Sequence, residues 1–258
     1  PSTPQSIQFA PLDSVATNME TPQLELTRIT IDQPDYTGIA NVSTENPNIR
    51  AVMGSLISWR LEFDGEVANV RMDRMGEIFP LNQKNDGFTL SQTLESSRFY
   101  SFSFEDAKGN KYVTDLYSLE AIADEAPLVE IDGLDQYNYF EYNEVKQLPL
   151  NTKVSDDFGI NDAYIVATVS KGSGESVKFR EDTVRFDGTL SKGKKQRQLK
   201  KMLDLDKLKM DPGDELYFYV EALDNKFPSP NISRSETYFA VIRDTITDDF
   251  AVESTLGV

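Results

Sequence analysis

A chain of 258 residues has room for one large domain or two ordinary ones, because a β-sandwich needs about 100 residues. With 39% apolar and 27% charged residues it can fill a core, which excludes a disordered chain, and its formal charge of −17 excludes nucleic acid as a primary partner by long-range repulsion of phosphate. There is no histidine and no cysteine, so Ser-His-Asp triads, Cys-His pairs, zinc sites built on either residue and disulfides are all excluded.

In chain order, residues 1–21 are polar and weakly patterned, as expected of a linker or a docking strand. Pro1 to Ala10 lack the basic and apolar regions of a signal peptide, and no apolar run in the chain reaches the length of a membrane span. Strands are predicted at Leu24–Ile31 and Leu56–Phe63. In the latter, Ile57, Trp59, Leu61 and Phe63 share one face and Ser58, Arg60 and Glu62 the other, as a sheet with one buried face requires. Further strands follow at Phe99–Phe104, Lys111–Leu119, Ala163–Val169, Glu215–Leu223 and Thr237–Ile242.

Reversals are marked by Asp64-Gly65, Asp86-Gly87, Lys108-Gly109-Asn110, Lys171-Gly172-Ser173-Gly174 and Asp211-Pro212-Gly213-Asp214. Leu199–Met210 reads as an extended strand followed by a turn, and no stretch sustains helical spacing. Alternating aromatics place Trp59, Phe102, Tyr219 and Tyr238 in the core.

The chain also repeats itself weakly. Tyr100-x-Phe102-x-Phe104-x-Asp106, Tyr117 and Ile122-x-Asp124 are echoed by Tyr217-x-Tyr219-x-Glu221-x-x-Asp224-Asn225, Tyr238 and Ile242-x-Asp244. Each copy suits the last hairpin of one sandwich, with rings filling the gap between two sheets. The fold class that follows is all-β, with two tandem immunoglobulin-like or fibronectin-III-like sandwiches at 22–125 and 126–244. The boundary falls near Asp124-Glu125-Ala126-Pro127, and 245–258 is read as a tail or linker.

Two stretches carry a resemblance. Pro34-Asp35-Tyr36-Thr37-Gly38 followed by Gly54-Ser55, and Ser155-Asp156-Asp157-Phe158-Gly159-Ile160 followed by Pro212-Gly213-Asp214 and Glu221-Ala222-x-Asp224-Asn225, resemble successive domains of large envelope proteins of bacteria. The resemblance implies tandem Ig-like periplasmic domains of a membrane-anchored protein of Bacteroidota, with the anchoring segments outside this chain. It brings no catalytic residue to transfer.

Candidate chemistry is sparse. Asp157-Phe158-Gly159 and Ser191-x-x-Lys194 match a kinase and a penicillin-binding-enzyme spacing, but none of their companion motifs is present. A pair of carboxylates suffices for glycoside hydrolysis, yet two sandwiches have few long loops to wall a cleft, so no enzyme is expected.

Calcium is the cofactor with chemical support, through Asp124, Glu125, Asp156, Asp157, Asp162, Asp224 and Asn225 at strand ends. Turn capping by the same side chains is the competing account. A cationic island of Lys192, Lys194, Lys195, Arg197, Lys200 and Lys201 reads as edge-strand protection or as a docking site for an acidic partner or lipid surface.

The expected function is a non-catalytic scaffold or interaction module that meets envelope proteins through strand edges. A carbohydrate-binding module is the alternative, and a carboxylate hydrolase follows it. Exposed aromatics clustered on one face would favour glycan; a deep cleft with two facing acids would favour hydrolysis.

Overall fold

A computed structural model describes residues 22–172, 177–188 and 193–244. The expected terminal linkers, and Lys192 of the cationic island, lie outside the described residues. Two compact units emerge. The first comprises the described residues through Ile31, Val42–Arg50 and Leu56–Glu120; the second comprises Asp32–Asn41, Ala51–Ser55 and the described residues from Ala121 onward.

Strands of the first unit are β1 (Leu24–Asp32), β2 (Val42–Thr44), β3 (Ile49–Val52), β4 (Leu56–Phe63), β5 (Val67–Arg74), β6 (Glu77–Pro80), β7 (Asn82–Lys84), β8 (Gly87–Thr93), β9 (Arg98–Asp106), β10 (Lys111–Val113) and β11 (Tyr117–Ile122). They form one sheet in the order β2-β1-β4-β8-β7 and another in the order β3-β11-β9-β5-β6, with β10 also on β9.

The alternation read in β4 is realised: Ile57, Trp59 and Leu61 are fully buried, each contributing about 1.5–3 kcal/mol or more by leaving water. Trp59 meets Tyr100 of β9 edge-on at 5.6 Å, so a ring from one sheet locks against a ring from the other.

The strand expected at Lys111–Leu119 is two strands. Thr114 interrupts it, its N–H donating to the Phe102 carbonyl while its hydroxyl accepts the Phe102 N–H at 2.9 Å. A side chain thus takes over one ladder position from the backbone.

The second unit contains β12 (Leu128–Asp132), β13 (Tyr137–Phe140), β14 (Gln147–Lys171), β15 (Lys178–Arg185), β16 (Lys194–Asp204), β17 (Glu215–Asp224), β18 (Ile232–Arg234) and β19 (Tyr238–Ile242). The expected Ala163–Val169 is only part of β14, a strand of 25 residues. Its first half pairs with β12 and β16, and its second half with β15 and β17. Between the halves the register slips, from Ser155 opposite Gln196 to Ile160 opposite Lys194.

Leu148, Leu150 and Val154 from one half and Ile165, Ala167 and Val169 from the other belong to one buried cluster, so a single strand serves both layers around one core. Gly159 makes the corner possible. Its φ is +148°, and a Cβ there would stand 2.9 Å from the Gly193 Cα and 3.0 Å from the Asn225 amide, a position closed to other residues.

From β17 the sheet continues through β19 to β13, which is held parallel at the end of the row. The protein is all-β, of immunoglobulin- or fibronectin-III-like sandwich architecture. Its one helical element among the described residues is a 3-10 turn at Asp35–Thr37. Among those residues no helix is long and apolar enough to cross a membrane.

Candidate functional site

Three features in the second unit have chemical content. The first gathers carboxylates. Asp124 lies beyond the end of β11, Asp156 and Asp157 lie at the corner of β14, and Asp224 and Asn225 lie at the end of β17. These segments meet because Asn225 is pinned twice: its N–H donates to the Gly159 carbonyl at 2.9 Å, and its side-chain amide donates to the Tyr36 carbonyl at 2.8 Å. The Tyr36 ring in turn packs edge-on against Phe158 at 6.1 Å.

Turn capping accounts for part of the cluster. One Asp156 oxygen accepts the N–H groups of Phe158 and Gly159 at 2.9 and 2.5 Å. Asp224 accepts the N–H groups of Lys226 and Asn231 and the Asn231 side-chain amide. The remaining oxygens are different: both of Asp124 and one each of Asp156, Asp157 and Asn225 are shielded from solvent and receive no aligned hydrogen bond.

Burial pushes the Asp124 carboxyl up to about 6; the Tyr36 hydroxyl beside it and Lys226 oppose the shift, and the charges of Asp224 and Asp157 add to it. Tyr36 is pushed up as well, by burial first and then by Asp124. Burial also raises Asp156, against the two amides it accepts.

Not every candidate joins this group. Asp162 is held by Arg185 through both carboxylate oxygens at 2.7 Å, and Glu125 is exposed. Tyr36, which stands at the centre, was not singled out in the sequence; the only trace is its place in the Pro34–Gly38 motif.

The second feature is β16, where the cationic island becomes a strand paired with β14. Lys194, Lys195 and Lys200 are exposed and Arg197 is half-buried. Lys201 pairs with Asp187 at 2.7 Å, and Lys195 lies over the Phe158 ring at 5.7 Å. Like charges along a strand end of a sheet disfavour its pairing with another copy.

The third feature is the outward face of the sheet. In β17, Leu216, Phe218, Val220 and Ala222 are fully buried, so Tyr217, Tyr219 and Glu221 point the other way. Tyr219, assigned to the core by alternation, is therefore an outward, half-buried residue beneath Arg234, 4.9 Å from its ring centre. Both parities of β17 are rich in large apolar side chains, so alternation alone does not choose between them. Tyr238 is partly buried and packs against the core.

Register extends this face across strands. Tyr217 stands opposite Phe239, and Phe239 opposite Tyr137. Phe239 stacks on Tyr137 at 4.7 Å and meets Tyr217 edge-on at 5.2 Å. Tyr139, like Tyr137 more than half exposed, adds a ring one step along, with Arg243 over it at 5.3 Å.

These residues, with Glu215, line an open depression of about 350 Å³. Farther along β17 the Tyr164 hydroxyl donates to Glu221, which pushes Tyr164 up to about 12, and Arg234 pairs with the same carboxylate at 2.9 Å. Tyr137-x-Tyr139, not singled out in the sequence, is the pattern that could have revealed this face, whereas Tyr217-x-Tyr219 was read as core filling.

Fold and sites together define a sandwich module with an aromatic outer face. No protein-family model and no curated protein matches the chain. Among solved structures it is similar to the fibronectin(III)-like modules of Clostridium thermocellum CbhA, at 13% identity and a TM-score of 0.29, covering 83% of this chain and 94% of that one. It is also similar to SGBP-B of the Bacteroides ovatus mixed-linkage glucan utilization locus, solved with a mixed-linkage heptasaccharide, at 14% identity and a TM-score of 0.18. That likeness covers 84% of this chain and 60% of the other. At such scores neither likeness carries an argument about ligand.

Proposed function

We propose that this chain is a non-catalytic binding module that takes an extended glycan on the outward face of the second unit's sheet. The observation that carries the reading is the row Tyr137–Phe239–Tyr217, in register across three strands, with Tyr137 and neighbouring Tyr139 exposed and Phe239 and Tyr217 half-buried. Sugar rings offer C–H faces to aromatic side chains and hydroxyls to polar ones. This face supplies both, with Glu215, Arg243 and the tyrosine hydroxyls at the margin of the rings. A core explanation does not apply to side chains that register directs away from the core.

The test is affinity electrophoresis of the purified chain through gels holding soluble neutral or uronic-acid polysaccharides, beside Tyr137→Ala and Phe239→Ala. Retardation by one polysaccharide, lost in both variants while they remain folded, supports the reading. Migration unchanged in every gel overturns it.

A second reading is favoured by β13. It is the terminal strand of its row, and its outer edge has no strand partner among the described residues. Such an edge accepts a strand from another protein, which suits a scaffold in a bacterial envelope. The carbonyls of Gln136 and Phe140 face β19, so the backbone groups of Tyr139 face the open edge; loss of co-purification of an envelope partner in Tyr139→Pro but not in Tyr139→Ala would favour this reading.

A further inference from the structure

We propose, resting on the glycan reading, that the ligand is a neutral polysaccharide chain lying across the strands of the outer face, from Tyr137 and Tyr139 at one edge to Phe179 at the other. Phe179, on β15, is a contact beyond the depression that Tyr217 and Tyr139 line. Register carries the path. Phe179 stands opposite Ser170 of β14, Ser170 opposite Glu215 of β17, Glu215 opposite Val241 of β19, and Val241 opposite Tyr139 of β13. Two residues along each strand, the order is Glu181, Thr168, Tyr217, Phe239 and Tyr137.

Both rows face outward. Val169 of β14 and Leu216 of β17 are fully buried, so Thr168, Ser170, Glu215 and Tyr217 beside them point the other way, and directly opposed residues share that face. Five strands at a spacing of about 4.7–4.9 Å make each row about 19 Å long. At the ends stand Phe179, 69% exposed, and Tyr137 and Tyr139, both more than half exposed. A singly exposed phenylalanine is ordinary, but this one closes a row whose other end is also aromatic. Between Phe179 and Tyr217 the short side chains of Thr168 and Ser170 leave a lower strip. The rings offer apolar surface to the C–H faces of sugars, and the hydroxyls and carboxylates between them offer partners to sugar hydroxyls.

Charge decides the class of glycan. Three guanidinium groups border this face and each is held by a carboxylate: Arg185 by both oxygens of Asp162 at 2.7 Å, Arg234 by Glu221 at 2.9 Å and Arg243 by Glu141 at 2.9 Å. Bidentate recognition of a uronate or sulfate needs a guanidinium free to turn to it. Within the two rows the formal charges are those of Glu181 and Glu215, in a chain of net charge −17. An anionic polymer is therefore repelled, whereas the hydroxyls of a neutral one donate charge-assisted hydrogen bonds to those same carboxylates.

The experiment runs the full chain through gels holding glucomannan, galactomannan or xyloglucan, which are neutral, and polygalacturonate or alginate, which carry uronic acids. Wild type runs beside Phe179→Ala and Tyr137→Ala, with melting temperatures measured for all three. Expected are retardation in a neutral gel, none in a uronate gel, and an affinity about two- to tenfold weaker in Phe179→Ala. The melting temperature of that variant should be unchanged, because the ring it removes is exposed. Retardation in a uronate gel alone overturns the charge assignment while the glycan reading stands. A neutral gel that retards Phe179→Ala as strongly as wild type, yet releases Tyr137→Ala, overturns the path across the strands and confines the ligand to the depression at β13. Migration unchanged in every gel overturns the glycan reading and the neutral ligand with it.

Discussion

Trp59 donates its indole N–H to the Tyr100 hydroxyl at 3.2 Å, and that hydroxyl donates onward to the Pro47 carbonyl at 2.5 Å. One oxygen thus satisfies two groups in the interior of the first unit. Both rings are essentially inaccessible to solvent, and burial pushes the Tyr100 phenol up, so it stays protonated and able to donate. Tyr100→Phe keeps the ring and strands both partners. The expected loss is about 1–3 kcal/mol, the cost of leaving a buried polar group unsatisfied. Urea unfolding should show a lower midpoint with unchanged slope. An unchanged midpoint would mean that water replaces the hydroxyl.

Gly159→Ala is expected to be costly for a different reason. The added methyl group meets backbone at Gly193, which cannot rotate away, and the φ of +148° is disfavoured by any side chain. A loss of about 1–3 kcal/mol is expected, with the second unit melting earlier while the first is unaffected. Two separable transitions in calorimetry would show it; a single transition at the wild-type temperature would mean that the corner relaxes freely.

These two positions mark what the sequence could and could not reveal. β4 was legible because its apolar residues fall on one parity and its polar residues on the other. β17 was legible as a strand but not in orientation, since Tyr217 and Tyr219 alternate with Leu216, Phe218 and Val220 and either set can fill a core. β14 was cut short because Pro149 and the Asp156–Gly159 run look like breaks. The chain instead passes through them, bending at Gly159 to change layers.

At the acidic cluster, strand-end position grouped Asp124, Glu125, Asp156, Asp157, Asp224 and Asn225. It could not separate them from Asp162, whose partner Arg185 comes from β15. Nor could it place Tyr36, which enters from a loop about 90 residues before Asp124 in the chain.

The stacked pair on the outer face admits a cleaner energetic test than ligand binding. Tyr137 and Phe239 occupy opposed positions on parallel strands with rings 8° from parallel. A double-mutant cycle with Tyr137→Ala and Phe239→Ala should return a coupling of about 0.5–1.5 kcal/mol, the range for aromatic pairs beyond their area. Phe239→Ala alone should cost more than Tyr137→Ala, because it also abandons Tyr217. Zero coupling would mean that the rings do not hold each other, and the face would lose its preset shape.

Asp106 closes the hairpin between β9 and β10, accepting the N–H groups of Lys108 and Asn110, the Asn110 amide and the Tyr112 hydroxyl. The Asn110 side chain leads the donors that hold its carboxyl down at about 2, against about 3.9 in an unfolded chain. A folded pKa below the unfolded one means that the unfolded chain binds the proton more readily, so acid works against folding. The stabilisation is therefore complete above about pH 4 and disappears as pH falls through about 2. Wild type and Asp106→Ala should differ most in melting temperature near neutrality, and the gap should close over that acid window. A gap independent of pH would show that the hairpin depends on the shape of Asp106 and not on its charge.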